Sequence, residues 1–198
     1  MATTTKSAAR GARPSARARL LAAAEELFYE EGVNTVGIDR VIERAGVAKA
    51  SLYDCFGSKE ELIRSYLAAR DDARRARITE KLKHLTTPRT RLLGVFDSQN
   101  DLLAEPNYRG CAFVRASAEL RPASSVKGVC DGSRAWLRAL FTDLAKDAGA
   151  VRPAALARQL MMLYDGASVA AQMDGDAKAA TAARAVASAL LDAAGAPR

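Results

Sequence analysis

Between Gly46 and Gly57 the chain sets Lys49, Ala50, Tyr53 and Asp54 within a span of eight residues that also holds Leu52 and Phe56. An ammonium such as Lys49 meets a phosphate, and the flat ring and hydroxyl of Tyr53 suit a phosphate or a thymine methyl. A helix over residues 49–56 buries Leu52 and Phe56, four apart, and turns Lys49, Ala50, Tyr53 and Asp54 off that face. Lys59 and Thr35 fall where neighbouring helices are expected to begin, positions suited to holding phosphates. Catalytic patterns are missing by comparison. The chain has one histidine, His84, and its three cysteines, Cys55, Cys111 and Cys130, lack metal-ligand spacing. No catalytic residue, metal or cofactor is expected.

A reading helix that short needs other elements to aim it. From Ser15, Leu20, Leu21, Ala24, Leu27 and Phe28 recur at threes and fours opposite glutamates, which predicts an amphipathic helix ending near Gly32. Thr35 is the expected cap of a second helix with Ile38, Val41, Ile42 and Ala45 on its buried stripe and Gly46 as its break. Ser58 and Glu61 fit a capping box that opens a long helix carrying Leu62, Ile63, Tyr66 and Leu67. Farther on, Pro88, Pro106, Pro122 and Pro153 separate helical segments near 89–104, 110–120, 124–148 and 154–173, and an alanine-rich segment covers 176–194. The expected fold is all-α with about nine helices: a helix-turn-helix unit over 15–60 and a helical domain over 61–195.

Charge narrows the partner. The 198 residues carry a net +7, which points to a polyanion. Residues 1–19 hold Lys6, Arg10, Arg13, Arg17 and Arg19 and no acid, whereas residues 20–60 hold eight acids against four bases. Attraction to DNA is thus expected from a disordered basic arm over 1–14 and from Arg17 and Arg19 beside it. The sequence shows no signal peptide and no apolar run of the roughly 18 residues a membrane span needs. A cytoplasmic protein with reduced thiols is the expectation.

Residues 17–63, with the matching text "LLAAAEELFYEEGVNTVGIDRVIERAGVAKASLYDCFGSKEELI" over 20–63, resemble the DNA-binding domain of the TetR family of bacterial repressors. The family pattern runs "AGVSKGTLYYHFGSKEEL" across its recognition helix, and "RGCAFVRASAEL" over 109–120 resembles a common start to the sixth helix in one branch. The resemblance implies that Thr35, Lys49, Ser51, Tyr53 and Lys59 match positions touching DNA. Three departures stand out. Ala48 replaces a frequent capping serine, and Asp54 and Cys55 replace an aromatic and a histidine. Asp54 either faces the groove and accepts from cytosine N4, or turns away to pair with Lys49 or Arg40. Cys55 is either a small buried thiol or a redox sensor.

The resemblance further implies an effector pocket among helices four to seven and a homodimer through the last two helices. Candidate lining is Phe96, Tyr108, Cys111, Phe113, Trp136, Met162 and Tyr164, with Asn100, Arg115, Asp165 and Gln172 as polar groups. Mostly apolar candidates imply an apolar or aromatic effector. For the dimer face the sequence offers Leu156, Leu160, Leu163, Tyr164, Ala167 and Ala171, then Ala183, Val186, Leu190 and Leu191. A ligand-responsive repressor of a double-stranded DNA operator is the leading expectation. An enzyme using the C-terminal pocket and a non-specific nucleoid-type binder are the alternatives.

Overall fold

The computed structural model describes residues 14–121 and 124–195, so most of the expected basic arm lies outside the described residues. Among those described the chain forms nine helices and no strand. They are α1 (Ala16–Glu31), α2 (Ile38–Ala45), α3 (Lys49–Phe56), α4 (Lys59–Lys83), α5 (Pro88–Leu103), α6 (Ala112–Glu119), α7 (Lys127–Asp147), α8 (Pro153–Asp174) and α9 (Ala179–Ala193).

Local chemistry explains most of the ends. The Ser15 hydroxyl accepts from the Ala18 amide at 3.2 Å and opens α1. Gly46 ends α2 in the left-handed region at φ +61°, where a side chain would be strained. Thr87 and Thr90 form a reciprocal capping box at α5, with Pro88 in the first turn where its missing N–H costs nothing. Two expected caps differ. Thr35 lies in the α1–α2 turn and Gly37, with no side-chain bond, precedes α2. Ser58 does accept from the Glu61 amide at 3.2 Å, but the Glu61 carboxylate takes Arg64 instead of closing the box. A nearby arginine offers a carboxylate a stronger, charge-assisted bond than a backbone amide does.

Two apolar cores form, and α4 belongs to both. One gathers α1, α2 and α3 around Leu20, Phe28, Val41, Leu52 and Phe56, and takes Leu62, Ile63, Tyr66 and Leu67 from the first half of α4. It also takes Ala112 and Ala116 of α6 and Cys130 of α7, which nothing in the sequence foretold. The other packs Ile78 and Leu82 of α4 with α5, α7, α8 and α9 around Phe96, Phe141, Leu160 and Tyr164. Burying a side chain such as Leu52 or Phe141 contributes about 2 kcal/mol. The shared helix and the inserted α6 therefore link the two cores mechanically.

Candidate functional site

The α1–α3 core presents α3 outward. Leu52 and Phe56 are buried, Lys49, Ala50 and Asp54 are exposed, Tyr53 is 46% exposed, and Ser51 and Cys55 are half-buried. The outer face of α3 is thus an ammonium, a methyl, a phenol and a carboxylate. Three interactions hold its pose. Arg19 of α1 donates to the Ala45 and Gly46 carbonyls at 3.0 and 2.8 Å, satisfying the C-terminal end of α2. Arg17 stacks on the Phe56 ring at 4.6 Å. Gly57 turns the chain at φ +74° into α4. Arg17 and Arg19 are therefore parts of α1 with packing roles, and not extensions of the arm.

Neither of the partners considered for Asp54 reaches it. Lys49 pairs with Asp39 at 2.9 Å, which raises the Lys49 pKa through that hydrogen bond and charge, and Arg40 pairs with Glu31. Among the described residues Asp54 forms no ion pair and stands in solvent. Thr35 is exposed in its turn. Lys59 is half-buried beside Asn34 and Glu119, and burial lowers its pKa. Ala48 leaves α3 without a side-chain cap.

A cavity of about 250 Å³ opens between α4, α6, α7 and α8. Cys111, Phe113, Tyr164 and Asp165 line it as expected residues, and Arg74, Ser117, Arg134 and Ser168 join them unforeseen. A narrower recess of about 80 Å³ shares Arg74, Cys111, Phe113, Tyr164 and Ser168 with it and is bordered as well by Tyr108, Arg70, Arg77 and Tyr29. Burial pushes the Tyr164 phenol up to about 12, so it stays protonated at neutral pH. The Tyr108 hydroxyl, also pushed up by burial, donates to the Ser168 carbonyl at 3.3 Å. Gln99 donates to the Tyr164 carbonyl at 2.7 Å and the Ser168 hydroxyl at 2.9 Å, fixing this wall.

Six expected lining residues lie elsewhere, among them Gln172, exposed on α8 with its side chain over Gly110. Phe96 is fully buried in the second core, 5.6 Å from the Phe141 ring. Asn100 accepts from Thr181 of α9 at 3.0 Å. Trp136 packs beneath the Arg75 guanidinium at 4.8 Å, and Met162 points outward, 69% exposed. Arg115 donates to the Tyr29 carbonyl at 2.5 Å and works as a tie between α6 and α1. Apolarity picked Phe96, Trp136 and Met162, and it does not separate core, cavity and outer face.

The cavity helix α6 is clamped onto the α1–α3 unit at both ends. At its start the Tyr29 hydroxyl takes the Arg109 amide at 2.9 Å and donates to the Gly110 carbonyl at 3.2 Å. At its end the Glu119 carboxylate accepts from the Asn34 amide at 2.8 Å and sits over Gly32, where any Cβ would meet it. Movement of α6 on its cavity side therefore reaches the turn that precedes α2.

Comparison with known proteins agrees with this architecture. The family model described as "Bacterial regulatory proteins, tetR family" matches residues 20–66. The TetR-family transcriptional regulator SCO4454 of Streptomyces coelicolor is 34% identical with a TM-score of 0.85, over 90% of this chain and 95% of that one. A putative TetR regulator of Streptomyces avermitilis, sav143, is 34% identical with a TM-score of 0.84, over 93% and 100%. The HTH-type transcriptional activator FasR of Mycolicibacterium smegmatis is 28% identical over 69% of this chain, which spans 62% of that relative's length. With an outward α3 on a three-helix core, a second helical core behind it and full-length likeness to such regulators, the chain belongs to the TetR family of transcriptional regulators and is not an enzyme.

Proposed function

We propose that the protein is a cytoplasmic homodimer that grips an operator with α3 and releases it when a small effector fills the α4–α6–α7–α8 cavity. The observation that carries this is the division of α3: Leu52 and Phe56 anchor it while Lys49, Ala50, Tyr53 and Asp54 face solvent as one surface. In this reading Lys49, Ser51, Tyr53, Lys59 and Thr35 meet backbone or bases, and Asp54 reads a base. Arg17, exposed beside Phe56, adds a phosphate contact. The functional division stays at residues 15–60 for DNA and 61–195 for effector and dimer, with α4 and α6 as transmission elements.

Support for the dimer comes from a face that shares only Val186 with the one the sequence pattern selected. Leu156, Leu160, Tyr164, Ala167 and Ala171 are buried within the monomer, because helical spacing alone cannot say which apolar stripe meets the core. The outward stripe is Met162, Gly166, Val169 and Met173 on α8, with Ala182, Val186 and Ala189 on α9. Large exposed apolar side chains at three- and four-residue steps fit a two-fold helical interface. No helix of the described residues is long and apolar enough to cross a membrane.

Two half-sites about one helical turn apart, roughly 34 Å, suit such a dimer. An effector that favours a mismatched spacing of the two α3 helices by a few kcal/mol changes occupancy. The test is a gel shift at fixed salt comparing DNA upstream of the gene with random DNA, joined to a reporter assay. Preference for upstream DNA and lower reporter output support a repressor. Equal affinity for both DNAs sinks it in favour of the nucleoid-type binder, and raised output selects activation, as the name of FasR records for that relative.

A further inference from the structure

We propose that the cavity takes a small aromatic carboxylate, its ring against Phe113 and Tyr164 in the larger chamber and its anion in the adjoining recess against the Arg70 and Arg77 guanidiniums. The inference rests on the effector reading above and narrows the apolar or aromatic effector that the lining candidates suggested to an aromatic acid. Arg70, Arg74 and Arg77 stand at i, i+4 and i+7 of α4 and all border the recess, which has no carboxylate in its wall. Like charges at those spacings repel on a helix. Of the carboxylates nearby, Asp72 is exposed, and Glu25, Glu26 and Glu30 border a separate depression that Arg70 also lines without an ion pair to them. Asp71 is already committed: it takes Arg74 at 2.8 Å, Arg75 at 2.6 Å and the Ser133 hydroxyl at 2.6 Å. Arg70 and Arg77 form no ion pair among the described residues, and the Nε atoms of all three are buried without a hydrogen-bond partner. Arg70 lies 3.9 Å over the Tyr29 ring, which orients its plane and offsets part of its charge. Cations retained in a partly desolvated recess without counter-charge favour an anion, and planar guanidiniums match a carboxylate.

Size and lining set the rest of the ligand. A cavity of about 150 Å³ holds benzene, so the 250 Å³ chamber beside Phe113 and Tyr164 accommodates one ring, and the 80 Å³ recess that also borders Phe113 and Tyr164 leaves room beside Arg70 and Arg77 for the carboxylate alone. Asp131 and Asp165 border that chamber but are neutralised by Lys127 at 2.5 Å and Arg134 at 2.6 Å. The protonated Tyr108 and Tyr164 phenols add no negative charge. Arg70 also stacks on Tyr29, the residue that ties α6 to α1, so an anion on Arg70 acts where the two cores are joined.

The experiment titrates the full chain with benzoate, phenylacetate and 1-naphthoate and with the matching neutral amides, by calorimetry and thermal shift. Arg77→Gln, Arg77→Lys and wild type are compared, and circular dichroism and binding to the upstream DNA confirm folding. At least one acid is expected to bind about tenfold tighter than its amide. Arg77→Gln should lose about that factor for the acid alone, and Arg77→Lys should recover part of it. Amides binding as well as acids, an Arg77→Gln variant that binds the acid like wild type, or no binding by any acid overturns the proposal. The two readings separate by DNA release. An acid that binds without releasing DNA leaves the anion site standing and sinks the effector reading. A neutral aromatic that releases DNA while acids fail does the reverse.

Discussion

Asp54 is where residue chemistry and charge meet. Its exposed carboxylate cannot hold a phosphate, so in the proposed function it acts by selection, accepting from cytosine N4 and repelling phosphate oxygens. Asp54→Ala should relax preference at one base pair per half-site, by about 1–3 kcal/mol, in a binding-site selection experiment. An unchanged selection profile counts against readout. Asp71 is the structural counterpart, buried where Asp54 is exposed. Burial pushes its carboxyl up, but bonds from Ser133 and Arg75 and the Arg74 and Arg75 charges outweigh that and leave it below the ordinary value. A carboxylate depressed by folding contributes stability fully above the ordinary value near 4, and that contribution is lost as pH falls through the folded value. Asp71→Asn should therefore cost about 2–3 kcal/mol in urea denaturation at neutral pH, most of it from the buried Asp71–Arg74 pair. The half-exposed Arg75 adds little because water screens it. The gap between variant and wild type should narrow in acid, and a gap that widens instead refutes the assignment.

At the scale of elements, α6 is a short helix with an unusual share of the tertiary bonds. Its cavity face carries Phe113 and Ser117, while its ends hold Tyr29 and Asn34 of the DNA-reading unit. Glu119→Ala should cost about 1 kcal/mol and speed hydrogen exchange at the Asn34 amide, measured by NMR. Exchange at the wild-type rate would show that the clamp does not order the turn. The same reasoning explains why α3 tolerates Ala48: with Leu52 and Phe56 packed and Arg17 on the Phe56 ring, tertiary contacts replace the missing cap.

For the whole molecule, the proposed function makes dimerisation and charge distribution the determinants of DNA affinity. Replacing Met162 and Met173 by lysine places like charges on the outward α8 stripe, where Met173 is 79% exposed. Sedimentation velocity should then show monomers at micromolar concentration with unaltered helix content, and DNA binding should weaken because one subunit spans one half-site. A persisting dimer would move the interface elsewhere. Deleting residues 1–14 should weaken binding to all DNA and flatten its salt dependence, since the segment from 20 to 60 is itself acidic. Affinity and slope that survive the deletion would return the attraction to α3 and its neighbours.

The all-α class, the helix count, the reading helix and its anchors Leu52 and Phe56 were legible in the sequence, because each depends on short-range periodicity and on glycine, proline and capping residues close by. The cavity was not. Phe96, Trp136 and Met162 share one apolar character yet became core, stacking platform and outer face. Nothing in the sequence set Arg70, Arg74 and Arg77 apart, and packing against α6 and α8 is what places them on a recess. Local sequence determines which face of a helix is apolar. Only the packing of distant helices decides what that face meets, and so which charges are left without a partner.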